Sequence, residues 1–314
     1  MSPARRVGGR AAPAEAAGGT AADPRLVTPS LLRSWPLPQP TGTKTSRGQV
    51  LVVGGARRTP GAPMLSGRAA LRMGGGRLSL AVAESVAPHV AVALQESGVW
   101  GLAESSSGSV TGLGAGALLE SEVRRCDVLL IGPGLDDAEG SVRLLEELVP
   151  LVPRRVPVVL DAFGLTVLPQ ASPSVRKGLA GRLVANFNPS ELAMLAGSGD
   201  DLEVAEVPGP ALALAKEFDA VVTSHGWIVS PEDGIWRTSN GDTGLGTSGS
   251  GDVLAGSLAG LLSRGAERTH AAVWATYVHA AAGDTLAARV GRVGFLASEL
   301  LPELPVVLSS LRGD

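Results

Sequence analysis

Short runs of consecutive apolar residues, separated by stretches with helical spacing, restrict the fold of this chain more than any other feature. A strand that is apolar at every position must be covered on both faces, whereas a strand with one wet face alternates apolar and polar residues. Such strands, alternating with helices, predict a mainly parallel sheet with helices on both faces. The apolar runs are residues 49–55, 77–83, 127–134, 156–162, 181–187 and 219–226.

The rest of the chain continues this α/β pattern. The segment WIVSPEDGIWRTS predicts a β-hairpin with Glu232, Asp233 and Gly234 in its turn, and the chain is mostly helical from Asp252 onward. No linker divides the ordered part, so we predict one α/β domain over residues 26–314. Ligands of such domains bind at the carboxyl ends of the strands.

The first residues differ in composition from this domain. Residues 1–25 are rich in Ala, Gly and Pro, and they lack the apolar core of a signal peptide. We predict that they form a disordered tail, with a cloning or start-site artefact as the alternative.

Charge and cysteine content exclude several classes of protein. The formal net charge is −3 and no long basic run occurs, so we expect neither nucleic acid nor a membrane surface as a partner. No apolar run approaches the roughly 18 residues of a membrane span. The single cysteine, Cys126, excludes an internal disulfide and is compatible with a reducing compartment. We therefore expect a soluble cytoplasmic protein with small-molecule partners.

The sequence GTSGSGD, which ends at Asp252, precedes a long apolar segment. Gly249 and Gly251 allow a tight turn and a close approach to a ligand, and the start of a helix attracts anions such as phosphate. Asp252 itself has two interpretations: an N-cap of the helix, or a general base for a hydroxyl that attacks a phosphoryl group. Spacing alone favours the cap. Beyond it, Gly256 and Gly260 predict a face for close helix packing.

Segments along nearly the whole chain after Leu26 resemble the ADP/ATP-dependent NAD(P)H-hydrate dehydratases, a family of the ribokinase-like superfamily. The signature of that superfamily is similar to GSGDVLAGSLAGLL. The other matching segments, in chain order, are GQVLVVGG, GAPMLSGRAALRMGGG, LLIGPGL, VVLDAFGL, NPSELAML, AAVWATYVHAAAGD and LASELLPELP. The resemblance implies a ribokinase-like fold with a central, mainly parallel sheet and helices on both faces.

The same resemblance implies the repair of damaged nicotinamide cofactors. ADP or ATP would phosphorylate the ring hydroxyl of hydrated NADH or NADPH, and elimination of phosphate would restore the reduced cofactor. Asp252 would be the catalytic base and would contact the hydrate, while Mg²⁺ would screen the phosphate charge. The resemblance also implies a homo-oligomer. A companion epimerase is expected as a separate chain, because the N-terminal tail is too short to contain one.

Further site residues are implied on each side of the reacting groups. The anion hole would be formed by the amides of Gly249, Ser250 and Gly251. The pocket for the hydrated cofactor would be lined by Ala62, Gly134 and Asn188. The nucleotide side would carry His225, Gly226 and Trp227, with Gly251 beside the nucleotide. No cluster of His, Cys and Asp has metal-ligand spacing, so no transition-metal site is predicted.

Three positions depart from the family's pattern. Asn188 replaces a histidine that touches the hydrate; it can form hydrogen bonds but cannot titrate, and the start of a helix at NPSE is the alternative interpretation. His225 replaces a lysine, which would hold a permanent charge near the phosphate. Phe163 stands where many relatives have a second acid after Asp161. Trp227 also has an alternative role, as a core residue instead of a platform for adenine.

Two other functions stay open at the level of sequence. A small-molecule kinase of the same fold, such as a vitamin-precursor kinase, would use Asp252 and the same loop, although the GAPML and LASELLPELP segments favour the dehydratase. The other alternative is a nucleotide-binding paralogue that has lost its activity, which Asn188 and His225 would suit. His279, on the late helix, is predicted to be a packed interior residue.

Overall fold

The structure, a computed structural model, describes residues 12–39, 42–43, 46–198, 202–241 and 243–311. The strands are β1 (Arg25–Val27), β2 (Gln49–Val53), β3 (Arg77–Ala83), β4 (Ser97–Leu102), β5 (Val128–Ile131), β6 (Val158–Asp161), β7 (Leu183–Phe187), β8 (Ala220–Ser224), β9 (Trp227–Ser230) and β10 (Gly234–Thr238). They form one sheet in the order β1-β10-β9-β8-β7-β6-β5-β2-β3-β4.

Helices occupy most of the remaining described residues. The α-helices are α1 (Pro29–Ser34), α2 (Gly61–Arg72), α3 (Ala87–Ala93), α4 (Ala115–Arg125), α5 (Ala138–Leu148), α6 (Ala162–Thr166), α7 (Pro173–Leu179), α8 (Pro189–Ala196), α9 (Pro208–Phe218), α10 (Ser250–Ser263), α11 (Arg268–Arg289) and α12 (Ala297–Ser310). Short 3₁₀ helices lie at Ala14–Ala16, Glu84–Val86, Val149–Leu151, Leu168–Gln170 and Thr243–Gly246. None of the described helices is both long enough and apolar enough to span a bilayer.

The predicted α/β fold is confirmed. Strands β2 to β8 are parallel to one another, whereas β9 is antiparallel to both β8 and β10, so the predicted hairpin is also present. The six predicted apolar runs correspond to β2, β3, β5, β6, β7 and β8. The assignment of residues 26–314 to one domain stays a prediction, which the single sheet supports.

Two hydrophobic cores lie on opposite faces of the sheet, and they explain why the central strands are apolar throughout. In β2, Val50 and Val52 belong to the core that α2, α10, α11 and α12 cover. Leu51 and Val53 belong to the core beneath α4, α5, α7 and α9. Successive side chains of a strand point to opposite faces, so every position is buried when both faces are covered.

Helices α2 and α10 cross at the predicted small-residue face. A Cβ atom on Gly256 would lie 2.0 Å from the carbonyl oxygen of Ser66, and one on Gly260 would lie 2.5 Å from that of Ala70. These distances are far below van der Waals contact, so glycine is required at both positions for the helices to pack as they do. The crossing fixes α10, and with it the loop that precedes α10, against α2.

The prediction of a disordered tail does not hold for residues 12–25. The indole N–H of Trp236 donates to the carbonyl oxygen of Ala16 (3.0 Å), and Ala16 is buried. A Cβ on Gly18 would lie 2.6 Å from the backbone of β10. The small residues that suggested disorder are thus the ones that let this segment lie against the sheet edge. Residues 1–11 lie outside the described residues.

Candidate active site

Three neighbouring parallel strands end in a row of polar side chains. Asp161, Asn186 and Thr223 are direct cross-strand partners at the carboxyl ends of β6, β7 and β8. Two positions earlier, each strand carries a valine of the core that α10 and α11 cover, and the alternation of strand side chains puts the polar row on the same face. All three polar residues are buried. The row therefore lies under the start of α10.

Hydrogen bonds connect this row and tie it to α10. The hydroxyl of Thr223 donates to Oδ1 of Asn186 (2.9 Å). Nδ2 of Asn186 donates to Oδ1 of Asp161 (2.9 Å) and to the carbonyl oxygen of Gly251 (3.4 Å). Sequence reasoning missed Asn186 and Thr223 as site residues. The available signal was a polar residue near the end of an otherwise apolar strand, in two successive strands.

Helix α10 begins at Ser250, and Gly249 is its N-cap residue with φ of 90°. A left-handed conformation of this kind favours glycine. Asp252 is the third residue of the helix, and no side chain caps the helix. The interpretation of Asp252 as the N-cap, which spacing alone favoured, is therefore wrong. Its carboxylate is not committed to the helix end and remains available for chemistry.

The surroundings of Asp252 suit a general base. Burial, followed by repulsion from the Glu191 carboxylate, raises the pKa of Asp252 from 3.8 to about 6. A base with a pKa near the working pH combines a useful ionised fraction with a real affinity for the proton. The hydroxyl of Ser66, on α2, donates to the backbone oxygen of Asp252 (2.9 Å), which holds the residue in place.

Asp161 is more strongly perturbed than Asp252. Burial raises its pKa well above 3.8, repulsion from Asp252 and Glu191 adds to that rise, and the Asn186 amide opposes it. Burial thus stabilises the protonated form of Asp161 relative to that of an exposed aspartate. Phe163, where many relatives have a second acid, is 38% exposed and supplies no charge here.

The predicted anion hole is only partly open. The amide of Ser250 donates to the carbonyl oxygen of Thr247 (3.2 Å), so its expected role in binding a transferring group needs correction. Gly251 is the second residue of α10, where an N–H has no intrahelical acceptor. It is exposed, and a Cβ built on it would meet no atom within 4 Å. The N-terminal end of α10 therefore keeps an accessible backbone N–H donor at Gly251.

His279 supports this loop from α11. Its Nε2 lies 3.1 Å from Oγ and 3.0 Å from the carbonyl oxygen of Ser250. Burial lowers the pKa of His279 to about 4, so the ring is neutral. The prediction of a packed interior residue is confirmed, and the contact also commits the Ser250 side chain.

Ala62 and Gly134 lie close together at the carboxyl ends of β2 and β5, as expected for two residues of one pocket. Ala62 lies in the first turn of α2, and Gly134 follows β5 with φ of 70°. A Cβ on Gly134 would lie 3.0 Å from the Cβ of Ala62 and 2.5 Å from the carbonyl oxygen of Thr59. Only glycine fits there without displacing its neighbours.

Asn188 is the N-cap of α8. Its Oδ1 accepts from the amide of Glu191 (2.8 Å), and the Glu191 carboxylate accepts from the amide of Asn188 (3.0 Å), which forms a capping box. The alternative interpretation of NPSE as a helix start is therefore confirmed, with Asn188 as the cap. Asn188 is exposed, so its free amide hydrogens can still face a ligand.

His225 and Gly226 form the two-residue turn between β8 and β9. Both have positive φ, 49° and 83°, as type I′ turns require. His225 is exposed, whereas Trp227 is buried. The Trp227 indole donates to the carbonyl oxygen of Val204 (2.8 Å), and the Arg237 guanidinium lies 4.9 Å from its ring centroid. The structure favours the core role of Trp227 over stacking on adenine.

Comparison with known proteins assigns the chain to a family. The family model described as NAD(P)H-hydrate dehydratase matches residues 50–306. The chain belongs to the NAD(P)H-hydrate dehydratase family. The polar row, the Asp252 loop and the Ala62–Gly134 contact all lie within the matched range.

Individual members of this dehydratase family, and of its superfamily, are similar over most of their length. The ADP-dependent (S)-NAD(P)H-hydrate dehydratase of Xanthomonas campestris is 42% identical over 291 residues, covering 91% of this chain and 97% of the relative. The Bacillus subtilis ADP/ATP-dependent NAD(P)H-hydrate dehydratase, co-crystallised with ATP/Mg²⁺, has a TM-score of 0.71 and 24% identity, covering 91% and 98% of the two chains. A ribokinase-like superfamily protein of Enterococcus faecalis has a TM-score of 0.76 and 21% identity, covering 92% and 97%. The predicted family and the ribokinase-like fold are thus confirmed.

Proposed function

We propose that this dehydratase-family protein uses ADP or ATP to dehydrate hydrated NADH or NADPH. The observation that carries the proposal is a carboxylate with a raised pKa, Asp252, in the first turn of a helix that begins with a glycine-rich loop. The resemblance of the chain to a relative named as an ADP-dependent (S)-NAD(P)H-hydrate dehydratase supports the choice of substrate.

The reaction divides into two steps. Asp252 removes the proton of the ring hydroxyl, the hydroxyl oxygen forms a bond to the terminal phosphorus, and AMP or ADP leaves. The phosphate ester is then eliminated: the neighbouring ring carbon loses a proton, and the C–O bond breaks as the ring double bond forms. The oxygen of the added water leaves in the phosphate. The amide of Gly251 and the positive end of α10 stabilise the charge on the transferring group.

Adenine nucleotide and Mg²⁺ complete the site. The described residues contain no group of three or more His, Cys, Asp and Glu side chains placed to hold a metal ion. This fits Mg²⁺, which binds through one or two carboxylates together with substrate phosphates and water. Glu191, whose charge repels that of Asp252, is the carboxylate that would face the ion. The ion supplies screening of the phosphate charge.

The experiment is incubation of the purified protein with hydrated NADH or NADPH, Mg²⁺, and ADP or ATP. Recovery of the reduced-nicotinamide absorbance together with release of free phosphate supports the proposal. A stable phosphorylated product without that absorbance would instead indicate the small-molecule kinase. Tight nucleotide binding without any turnover, unaffected by Asp252→Asn, would indicate the paralogue that has lost its activity.

The cellular setting belongs to the same proposal. We propose that the protein acts in the cytoplasm as a homo-oligomer, beside a companion epimerase. The sequence has a single cysteine, Cys126, so it can form no internal disulfide, which suits a reducing compartment. Size-exclusion chromatography with light scattering tests the oligomer.

A further inference from the structure

We propose that Asn186 is a positioning residue, which sets the orientation of the first turn of α10 through its hydrogen bond to the carbonyl oxygen of Gly251. The inference rests on the proposed function for its effect on turnover. Asn186 acts through the peptide that joins Gly251 to Asp252.

The geometry of that peptide carries the argument. The carbonyl of Gly251 and the amide of Asp252 belong to one planar peptide unit, so fixing the direction of the oxygen also fixes the direction of the N–H. In an α-helix this oxygen already accepts from the amide four residues later, and its second lone pair is free for another donor. Asn186 fills that place at 3.4 Å.

The amide of Asn186 is itself held in one orientation. Oδ1 accepts from Thr223, so Nδ2 must be the group that faces Asp161 and Gly251. A buried amide in which the oxygen and both amide hydrogens have partners has no equally good flipped state. The hydrogen bonds of the polar row at the ends of β6, β7 and β8 thus attach the start of α10 to the sheet.

A second contact holds the next carbonyl from the other side. The Ser66 hydroxyl donates to the backbone oxygen of Asp252 (2.9 Å) and lies 3.2 Å from the carbonyl oxygen of Ala62. Two successive carbonyls of α10 are therefore fixed by two different elements, β7 and α2. Such support leaves little freedom to the amide of Gly251 and to the base, which is what precise positioning of reacting groups requires.

Asn186→Thr and Asp161→Asn separate positioning from fold stability. Asn186→Thr is neutral and keeps a hydroxyl beside Asp161 and Thr223, but its shorter side chain cannot reach Gly251. Asp161→Asn keeps a carbonyl oxygen as acceptor and so leaves both donations of Asn186 intact. Ser79→Ala removes a buried hydroxyl that donates to Glu122 (2.8 Å) near the opposite end of the sheet, and it controls for the loss of any buried polar contact.

The measurements are ADP affinity by calorimetry, kcat and KM for the hydrate, and the melting temperature. Asn186→Thr is expected to weaken ADP binding and to lower kcat, each about tenfold, with little change in the KM for the hydrate, because one hydrogen bond of this kind is lost. Asp161→Asn and Ser79→Ala are expected to keep kcat and ADP affinity within about twofold of the wild type.

Two results would overturn the inference: wild-type kcat and ADP affinity in Asn186→Thr, or an equal loss in Asp161→Asn. A wild-type protein that binds ADP but leaves the hydrate unchanged would refute the proposed function alone. The calorimetric comparison of the variants would still decide whether Asn186 positions α10.

Discussion

Replacement of Asp252 by Asn is expected to make the protein more stable while it removes turnover. Burial and the Glu191 charge raise the pKa of Asp252 from 3.8 to about 6, so keeping this side chain ionised at neutral pH costs the folded state free energy. A rise of about two pH units corresponds to roughly 3 kcal/mol. A negative charge in the first turn of a helix offsets about 0.5 kcal/mol of that cost. We therefore expect a gain of about 2.5 kcal/mol.

The pH dependence of that gain provides the sharper measurement. A carboxylate whose folded pKa lies above its unfolded value destabilises the fold above the folded pKa, and it has no such effect below the unfolded one. The gain of Asp252→Asn should thus be full above about pH 6 and should vanish as the pH falls through 3.8. Urea denaturation at several pH values between about 4 and 8 measures it.

Asp252→Asn should lower turnover even though it raises stability. Loss of a general base lowers the rate by about 10² to 10⁴-fold, whereas ADP affinity should change little because the amide of Gly251 is retained. The reasoning is refuted if Asp252→Asn is no more stable than the wild type at neutral pH, or if its gain is the same at about pH 4. Near-normal turnover of the variant would refute the base itself.

Three further substitutions test neighbouring features. Glu191→Gln keeps an oxygen acceptor for the capping box and removes a negative charge, so the pKa of Asp252 should fall. The acidic limb of the kcat/KM profile should then move to lower pH. An unmoved limb would contradict the electrostatic coupling between Glu191 and Asp252. Gly251→Ala should raise the unfolding free energy by about 0.5 to 1 kcal/mol, since the added Cβ meets no atom within 4 Å. The same Cβ should weaken ADP binding because the nucleotide approaches Gly251. Unchanged ADP affinity would argue against Gly251 as a nucleotide contact. Gly256→Ala, whose Cβ would lie 2.0 Å from the carbonyl oxygen of Ser66, should instead cost about 1 to 3 kcal/mol in urea denaturation, and a neutral effect would contradict the close packing of α2 and α10.

The buried strands could be predicted because each of them is a short run of consecutive apolar residues. β3 begins and ends at the predicted residues 77 and 83, since both faces of that strand are covered. β4 was missed because it is the edge strand beyond β3 and is buried at only one position, Leu102. β1 was missed for a related reason: its three residues pair with β10 alone. Edge strands lack the continuous apolar signal.

The candidate site was likewise predicted where it depends on a contiguous sequence pattern, and missed where it depends on contacts between distant segments. The loop that carries Asp252 was predicted, because a glycine-rich turn before an apolar helix is a contiguous pattern. The polar row was not, because Asn186 and Thr223 acquire their meaning only from the register that pairs β6, β7 and β8. The position of Asp252 within α10 also escaped prediction, since the N-cap is a glycine whose role depends on its positive φ.

The positions that suggested lost activity have backbone roles that their new residues perform well. Asn188 is a favourable N-cap, and His225 occupies a left-handed turn position that needs no charge. Two costly features, by contrast, are present at the site: an ionised carboxylate held partly buried at Asp252, and a non-glycine residue with φ of 46° at Ala162, directly after β6. Each lowers stability, and mutation tends to remove such features when no function maintains them. Their concentration at one edge of the sheet therefore favours a working enzyme over a paralogue that only binds nucleotide.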